Sequence, residues 1–201
     1  TLDSVIWMTE SGRQEEAIQM VTSLARLFRI ALSRGNSIIP LADELEHARH
    51  YMTIQQIRFK NKFETKITAQ PGTEGLYTLK LIVQPILENA IYHGMASAED
   101  DGLISVNACR EGDDLVIDVA DNGLGMRPEV AASLLDENRP DVRTSGSGIG
   151  VRNVHQRIRL TFGPAYGLTI FSEPDEGTLV RIRLPALTGE EAGRYQQEGT
   201  P

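Results

Sequence analysis

The sequence predicts an α+β protein: a two-layer α/β sandwich, in which one mixed sheet carries helices on a single face, preceded by a helical hairpin. Two observations predict this class. Apolar residues recur at three- and four-residue steps up to about residue 60, and several later segments alternate apolar and polar residues. We therefore expect a helical unit over 1–60, a sheet-based unit over 61–187 and a disordered polar tail over 188–201.

Composition limits the classes of function. The chain has 201 residues, of which 40% are hydrophobic and 24% charged, as in ordinary globular proteins. Its net charge of -8 gives no basic surface for a phosphate backbone, so nucleic acid is not expected as a partner. Because no apolar run approaches the ~20 residues of a membrane span, we expect no membrane contact by this chain itself. It begins at Thr1 without Met, and we expect it to be a piece of a longer protein.

The helical unit contains two predicted helices, from Glu16 to Leu32 and from about 41 to 59. The stretch SRGNS lies between them, and its Gly35 suits a helix C-cap. The apolar stripes are Ala17, Met20, Leu24, Leu27 and Ala31 in the first helix and Leu41, Leu45, Ala48 and Met52 in the second, with Glu44, Arg49 and Gln56 placed elsewhere.

Such a hairpin has little core of its own. A matching hairpin from a second copy would bury both stripes, so we expect a homodimer formed through this unit. The alternative is that the hairpin packs on the later part of its own chain.

The sheet-based unit contains five alternating segments, with helical stretches at about 79–94 and 149–161. In the last segment Arg181 and Arg183 face away from the apolar residues, which predicts that one face of the sheet is open to water. Cys109 is interpreted as a small core residue without chemistry. The segments are FETKI (63–67), ISVNA (104–108), LVIDVA (115–120), LTIFS (168–172) and VRIRL (180–184).

The motif DNGLGM (121–126) directly follows one of these strands. Gly123 and Gly125 would let the backbone approach a flat ligand, and Asp121 could accept a hydrogen bond from an exocyclic amine. Asn-Gly is also a strong signal for a tight hairpin, and the motif taken alone favours that turn.

A second glycine motif, GSGIG (146–150), runs into an amphipathic helix. Free N–H groups at a helix start, with no side chains in the way, can bind phosphate oxygens. The spacing is GxGxG rather than GxGxxG and follows a loop, which disfavours a Rossmann dinucleotide site. The sequence also lacks the P-loop pattern.

The segment LIVQPILENAIYHGM (81–95) places Glu88, Asn89 and His93 in an otherwise apolar helix. Because unpaired burial of polar groups is costly, they are either buried with partners or facing a ligand. The amide oxygen of Asn89 is a suitable ligand for the Mg²⁺ that accompanies a triphosphate. At the start of the last strand, the hydroxyl of Thr178 could support the carboxylate of Asp121.

Taken in order, ENAIYHG, DNGLGM, GSGIGVRNV and GTLVRIRLP resemble the N, G1 and G2 boxes and the final strand of the Bergerat ATP-binding fold. Gyrase, Hsp90, MutL and histidine kinases share this fold. Each box alone is weak, but all four in order are specific. LADELEHARHYMTIQQIRF and LIVQPILENAIYHG further resemble sensor histidine kinases of the LytS/YesM type, and this resemblance covers nearly the whole chain.

The resemblance implies ATP and Mg²⁺ as ligands. Asp121 would bind the adenine amino group, Gly123 and Gly125 would shape its pocket, Asn89 would hold Mg²⁺, and residues 126–145 would form a lid. The phosphate-binding candidates are Gly146, Gly148 and Gly150, the further candidates for nucleotide contact are His93, Met126, Ser147, Ile149 and Thr178, and the catalytic candidates are Glu88 and Asn89.

Two positions depart from the family pattern. Tyr92 stands where many histidine kinases carry a Lys that can reach phosphate, so phosphate contact is not implied there. Pro85 stands where gyrase-like ATPases place a water-activating Glu, which favours phosphotransfer over hydrolysis. Glu88 could position water or metal, and a salt bridge on the helix surface is the alternative.

The phosphorylated His of this family lies in a Pro-His-Phe-x-x-Asn box just before a stretch like TLDSVIW, with which this chain begins. We therefore expect the acceptor to lie upstream of this sequence. None of its four histidines stands in such a context, and His47, His50 and His155 are interpreted as structural.

The resemblance as a whole implies the cytoplasmic catalytic part of a sensor histidine kinase, whose intact form lies in the cell membrane. The γ-phosphate of ATP would pass to the upstream His and then to an Asp of a response regulator. The alternatives are a Bergerat-fold ATPase or protein serine kinase, and a non-catalytic interaction module.

Overall fold

The computed structural model describes residues 2–32, 36–60, 62–95, 101–136 and 148–198. The helices are α1 (Leu2–Glu10), α2 (Gln14–Ala31), α3 (Leu41–Arg58), α4 (Gln84–Asn89), α5 (Pro128–Leu134), α6 (Ile149–Phe162) and α7 (Gly189–Glu198). The strands are β1 (Ile38–Pro40), β2 (Phe63–Ala69), β3 (Tyr77–Leu79), β4 (Gly102–Glu111), β5 (Asp114–Asp121), β6 (Gly167–Glu173) and β7 (Gly177–Pro185). A π-helical turn, Ala90–Gly94, continues α4.

Five strands form one mixed sheet in the order β2-β4-β5-β7-β6, and β1 pairs with β3 in a separate small sheet. β2 runs parallel to β4, and the remaining pairs of the large sheet are antiparallel. The five alternating segments of the sequence all lie in these strands, and the predicted α+β class with a mixed sheet is confirmed.

The main core lies between one face of the sheet and helices α3, α4 and α6. Completely buried side chains such as Leu87 of α4, Ile158 of α6 and Ile117 of β5 meet there. Burial of each such side chain contributes about 1.5–3 kcal/mol. The opposite face carries an ion pair between Asp118 and Arg181, with 2.7 Å between Oδ2 and Nη2. The sandwich is therefore covered on a single face, as predicted.

Helix α3 takes part in two clusters. Leu45 and Met52 pack in the main core, whereas the opposite side of α3 faces α1 and α2. The second cluster consists of Met8, Ala17, Met20, Ile54 and Ile57. The predicted stripe of α2 is thus covered by α3 of the same hairpin. The alternative, in which the hairpin packs on the later part of its own chain, describes the other side of α3. Because α3 joins both clusters, the domain boundary at residue 60 stays a prediction.

Helix α2 also carries a second apolar stripe, which faces solvent. Its residues follow one another at steps of three and four, as in a coiled-coil seam. They are Ile18, Val21, Ala25, Phe28 and Leu32. Four of them are strongly exposed, from 49% for Val21 to 76% for Leu32. The sequence predicts the seam on the neighbouring stripe of this helix, about 100° away.

Residues Gly189–Glu198 form α7 where a disordered tail over 188–201 was expected, and residues 199–201 lie outside the described residues. Glu191 in the first turn of this helix accepts the N–H and the Oγ1 hydroxyl of Thr188 at its Oε2, both at 2.8 Å, which is the glutamate half of a capping box. Ala192 is buried and the ring of Tyr195 lies edge-on to Phe162, 5.3 Å between centroids. The segment packs because its few apolar residues share one face of a capped helix.

The start of α4 and the position of Cys109 also differ from what the sequence predicts. The helix predicted over 79–94 begins only at Gln84, because β3 ends at Leu79 and Leu81 has a left-handed backbone with φ of 58°. Cys109 is half-buried on the open side of β4 rather than in the core, since neighbouring Ala108 occupies the inward position.

Candidate functional site

Two cavities meet at Asn89 and His93, which line both. The first, of about 260 Å³, is bordered by Asp121 and Thr178 at the ends of β5 and β7. The second, of about 350 Å³, lies between α4 and the start of α6. The first is also lined by Gly94, Leu124, Gly125, Met126, Val130 and Leu134, and the second by Pro85, Glu88, Tyr92, Gly148, Gly150 and Val151.

Asp121 is the last residue of β5 and pairs with Thr178 of β7. Its Oδ1 accepts a hydrogen bond from the N–H of Gly123 at 3.0 Å. Burial raises the pKa of Asp121 to about 6, and the N–H groups of Gly123 and Thr178 oppose that rise. The carboxylate is thus fixed in place at the edge of the cavity and still offers an acceptor to a ligand.

Close backbone approaches require glycine beside this carboxylate. A Cβ atom at Gly94 would lie 2.6 Å from Asp121 Oδ1, and one at Gly123 would lie 2.2 Å from the Gly94 carbonyl oxygen. Gly125 has φ of 60°, and a Cβ there would lie 1.9 Å from the carbonyl oxygen of Glu173. Glycine is therefore required at these three positions, of which Gly94 and Gly125 line the cavity. Gly94 was missed by the sequence analysis, although it ends the ENAIYHG motif.

The DNGLGM segment does not form the tight hairpin that was the alternative for it. β5 pairs with β4 and β7, and the chain continues from Met126 into α5. The N–H of Met126 donates to Ser172 Oγ at 2.9 Å, and that oxygen lies 2.9 Å from Thr178 Oγ1. The hydroxyl of Thr178 therefore pairs with Ser172, and its N–H is the group that acts on Asp121. Ser172 gave no sequence signal.

Asn89 is the last residue of α4 and is half-buried. The neighbouring Glu88 accepts a hydrogen bond at Oε1 from Gln84 Nε2 at 2.8 Å, so its partner is an amide rather than the cation of the expected alternative. Tyr92 is 50% exposed, and its ring lies edge-on to Phe59, 6.3 Å between centroids.

Gly148 precedes α6 and has a left-handed backbone with φ of 89°. A Cβ atom there would lie 2.7 Å from Leu134 Cδ2, and one at Gly150 would lie 3.1 Å from Pro85 Cβ. The start of α6 therefore packs closely against α4 and α5, and its two glycines line the second cavity. Ile149 is 42% exposed and does not line either cavity. Gly146, Ser147 and the lid residues from 137 onward lie outside the described residues.

The donor set suits a magnesium ion delivered with phosphates. Within the described ranges, no three His, Cys, Asp or Glu residues lie close enough to hold a metal by themselves. The cavity offers the Asn89 amide, with Glu88 beside it. Mg²⁺ keeps several waters and takes further oxygens from substrate phosphates, so a single amide oxygen from the protein is compatible with such a site.

The three histidines that were interpreted as structural lie outside both cavities. His47 is 1% exposed, burial lowers its pKa to about 4, and its Nε2 has no hydrogen-bond partner among the described residues. His50 lies 3.3 Å from Glu46 Oε1, and His155 Nδ1 accepts the N–H of Leu168 at 2.9 Å.

A larger groove, of about 600 Å³, lies between α5 and the edge strand β6. Ala131, Leu135 and Phe171 are among its lining residues, and none of the predicted site residues is. The chemistry-bearing side chains are concentrated in the two smaller cavities.

Comparison with known proteins decides the family. Residues 53–188 match the family described as "Histidine kinase-, DNA gyrase B-, and HSP90-like ATPase". The chain belongs to this family. Residues 1–63 also match the family described as "Histidine kinase", and both matches confirm the predicted resemblance to the catalytic portion of sensor histidine kinases.

Curated histidine kinases resemble this chain over most of its length. It is 34% identical over 92% of its residues to sensor histidine kinase YesM of Bacillus subtilis, and 34% identical over 85% to sensor histidine kinase BtsS of Escherichia coli. It is 29% identical over 91% to sensor protein LytS of Bacillus subtilis. The chain spans only 30%, 28% and 31% of the length of these three relatives.

Solved structures share the fold. The histidine kinase domain of Erythrobacter litoralis EL346 blue-light activated histidine kinase superposes with a TM-score of 0.57 at 19% identity, covering 96% of this chain and 85% of that one. The catalytic domain of histidine kinase ThkA gives 0.54 at 16% identity, covering 77% and 97%. In the part of this chain that the structure describes, no helix has the length and apolar character needed to cross a membrane.

Proposed function

We propose that this chain binds Mg-ATP in the two joined cavities and forms the catalytic portion of a histidine kinase. The γ-phosphate passes to a histidine that lies outside this sequence, and from there to an aspartate of a response regulator. One observation carries this proposal: Asn89 lines both cavities, between Asp121 on one side and the turn at Gly148 on the other.

The adenine base belongs in the cavity of Asp121. A carboxylate that is already hydrogen-bonded by Gly123 N–H accepts the exocyclic amino group of the base at its free oxygen lone pairs. Gly94 and Gly125 line the cavity without side chains, which lets a flat ring approach the backbone. Leu124, Val130 and Leu134 supply apolar contact to the ring faces.

The phosphates belong in the cavity between α4 and α6. The first N–H groups of a helix have no partner within it, and Gly148 and Gly150 at the start of α6 line this cavity. The amide oxygen of Asn89 would ligate the magnesium ion, which supplies neutralisation of phosphate charge when bound. The protein then contributes positioning and electrostatics, which carry most of the catalysis in phosphoryl transfer.

Side chains around this cavity favour transfer over hydrolysis. Pro85 has no group that could activate water, and it packs against Gly150. The adjacent Glu88 is hydrogen-bonded to Gln84. Pro85 therefore supplies no base for water at its position, and transfer requires an acceptor side chain that approaches from outside the site.

We also propose that the solvent-facing stripe of α2 forms the homodimer. Ile18, Val21, Phe28 and Leu32 expose between 49% and 76% of their surface at coiled-coil spacing. Leu2 and Ile6 of α1 extend the exposed apolar surface. A second copy, packed by the same stripe around a two-fold axis, would bury it. The proposed dimer interface thus lies about 100° around α2 from the stripe that the sequence predicted, because the two stripes differ by one residue.

The proposed location is cytoplasmic, in an intact protein held in the cell membrane. The relatives are named as sensor kinases and are much longer than this chain, which leaves room in them for sensing parts. ATP is a cytoplasmic substrate, so the catalytic part must face that side.

Calorimetry with ATP, with and without Mg²⁺, tests the binding proposal. We expect the chain to bind ATP more tightly with Mg²⁺, and Asn89→Ala to lose that gain while Asn107→Ala, on β4, keeps it. Radiolabelled ATP should leave this chain unlabelled and label a chain extended upstream to its acceptor. Steady release of phosphate by this chain alone would instead support an ATPase, and absence of ATP binding would support an interaction module.

A further inference from the structure

The four residues before α4 are held by other parts of the chain. Leu81 has a left-handed backbone with φ of 58°, which side chains disfavour and which persists only when surrounding contacts enforce it. The N–H groups of Leu81, Ile82 and Val83 all point to the same side chain, Glu44 of α3.

Glu44 is completely buried, although periodicity placed it away from the packing stripe of its helix. Its Oε2 accepts the N–H of Leu81 at 2.8 Å, and its Oε1 accepts those of Ile82 at 2.8 Å and Val83 at 3.0 Å. Both carboxylate oxygens are therefore engaged, and three backbone donors that would be orphaned in the interior have a partner.

This arrangement caps α4 from a distance. Val83 is the N-cap residue of α4, and no side chain of α4 itself caps the helix. The first N–H groups of a helix need acceptors, and a negative charge near them is favourable. Glu44 on α3 meets that need for the N–H of Val83, while Pro85 in the first turn has no N–H to satisfy.

The same carboxylate is linked to α6. Burial raises the pKa of Glu44, and the three N–H groups and the nearby Arg157 of α6 oppose that rise. Arg157 also donates to the carbonyl oxygen of Lys80. Helix α6 begins at the proposed phosphate site, and α4 ends at Asn89. Glu44 and Arg157 therefore join the two helices that border the phosphate cavity.

We propose that Glu44 is a positioning residue for magnesium and phosphate binding, because it fixes α4 so that Asn89 faces the turn at Gly148. Helix α4 has six residues and is about 9 Å long, so a shift of its first turn moves Asn89 with it. The inference rests on the proposed function, since it concerns how Asn89 meets the phosphates of Mg-ATP.

The test is Glu44→Gln in this chain, with Glu64→Gln on an exposed position of β2 as the matched control. Gln keeps the shape, but it removes the charge and turns an NH₂ group toward backbone N–H donors. ATP affinity is measured by calorimetry with and without Mg²⁺. We expect Glu44→Gln to lose about 10-fold in Mg-ATP affinity, as for other residues that orient metal ligands. Affinity for adenosine, which needs only the Asp121 cavity, should stay within about twofold.

Amide hydrogen exchange supplies a readout that is independent of nucleotide. The amides of Ile82 and Val83 should exchange at least about 10-fold faster in Glu44→Gln than in the control, because their acceptor is weakened. If Glu44→Gln does not fold, Arg157→Gln carries the test, since it removes the link to α6 and keeps the carboxylate. A smaller, magnesium-specific loss of ATP affinity is expected there.

Each result decides the inference. If the folded Glu44→Gln variant keeps the full magnesium-dependent gain in ATP affinity, the positioning role is overturned while the proposed function stands. If Glu44→Gln does not fold, the same result in Arg157→Gln overturns it. An equal loss of adenosine and Mg-ATP affinity also overturns it, because the effect would then be general. No magnesium-dependent gain in the unmodified chain would overturn the proposed function and this inference together.

Discussion

The proposed nucleotide site and helix α2 differ in how closely their residues are packed. Around Asp121 the backbone is packed so closely that an added Cβ at Gly94 or Gly123 would collide with its neighbours. On α2, by contrast, Phe28 and Leu32 expose more than half of their surface. The residues of the site are therefore all supplied by this one chain. Helix α2, in contrast, presents an apolar face that another surface would have to cover. Mutations should therefore separate ligand binding from association.

The largest effect is expected for Asp121→Asn. It replaces an acceptor with an NH₂ group that faces the adenine amino group, and hydrogen bonds to charged groups contribute about 1.5–3 kcal/mol. We expect ATP affinity to fall about 100-fold by calorimetry. The matched control is Asp118→Asn on the same strand, whose side chain binds Arg181 on the open face. Equal affinities in the two variants would refute the adenine assignment.

A charged residue in the exposed stripe of α2 should dissociate the proposed homodimer and leave ATP binding unchanged. Ile18→Glu would place two like charges across a two-fold seam, and we expect the dimer dissociation constant to rise about 50-fold. Analytical ultracentrifugation measures it, and ATP affinity should be unchanged. Gln19→Glu, at the next and equally solvent-facing position, should leave the dimer as it is. Loss of association in both variants, or in neither, would argue against this seam.

The tight backbone of the site should show in stability. Gly123→Ala would place a Cβ 2.2 Å from a backbone oxygen, so we expect the free energy of unfolding to fall by about 2 kcal/mol. The Cβ added by Gly193→Ala in α7 would meet no atom within 4 Å, so we expect the free energy of unfolding to rise by about 0.5–1 kcal/mol. Urea unfolding measures both. A stable Gly123→Ala chain would mean that the backbone can open there.

The smallest effect is a pH dependence, which has opposite signs for folding stability and for ligand affinity. The pKa of Asp121 is raised from its ordinary 3.8 to about 6, so its contribution to folding stability is present below pH 4 and lost as pH rises through about 6. Ligand binding uses the ionised form, so adenosine affinity should instead fall about 10-fold between pH 7 and pH 5. Adenosine has no phosphate to titrate. Affinity that is flat over this range would contradict the role of the carboxylate.

Much of the sheet could be predicted from the sequence, because alternation reports directly on a strand with one buried face. The segment VRIRL lies in β7 with Val180 and Ile182 inward and Arg181 outward, as its pattern requires. Glycine motifs at strand ends and helix starts were equally informative. Asp121, Asn89 and Gly148 line the two joined cavities. Their motifs could be located from the sequence because glycine is favoured at strand ends and at helix starts.

Other features depend on contacts between distant segments, which periodicity does not report. Helix α2 has two apolar stripes, and only the packing of Ile54 and Ile57 decides which one turns inward. Glu44 looks like a surface acid, but its partners are backbone groups 37 to 39 residues away. Gly94 and Ser172 likewise act on Asp121 and its neighbours across the fold.

The central claim is that a single nucleotide engages Asp121, Asn89 and the turn at Gly148. Titration of ¹⁵N-labelled chain with Mg-ATP tests it most directly by NMR. The amide signals of Asn89, Gly123 and Gly148 should shift together and yield one dissociation constant. Signals that report separate constants, or one group that does not respond at saturation, would contradict the claim.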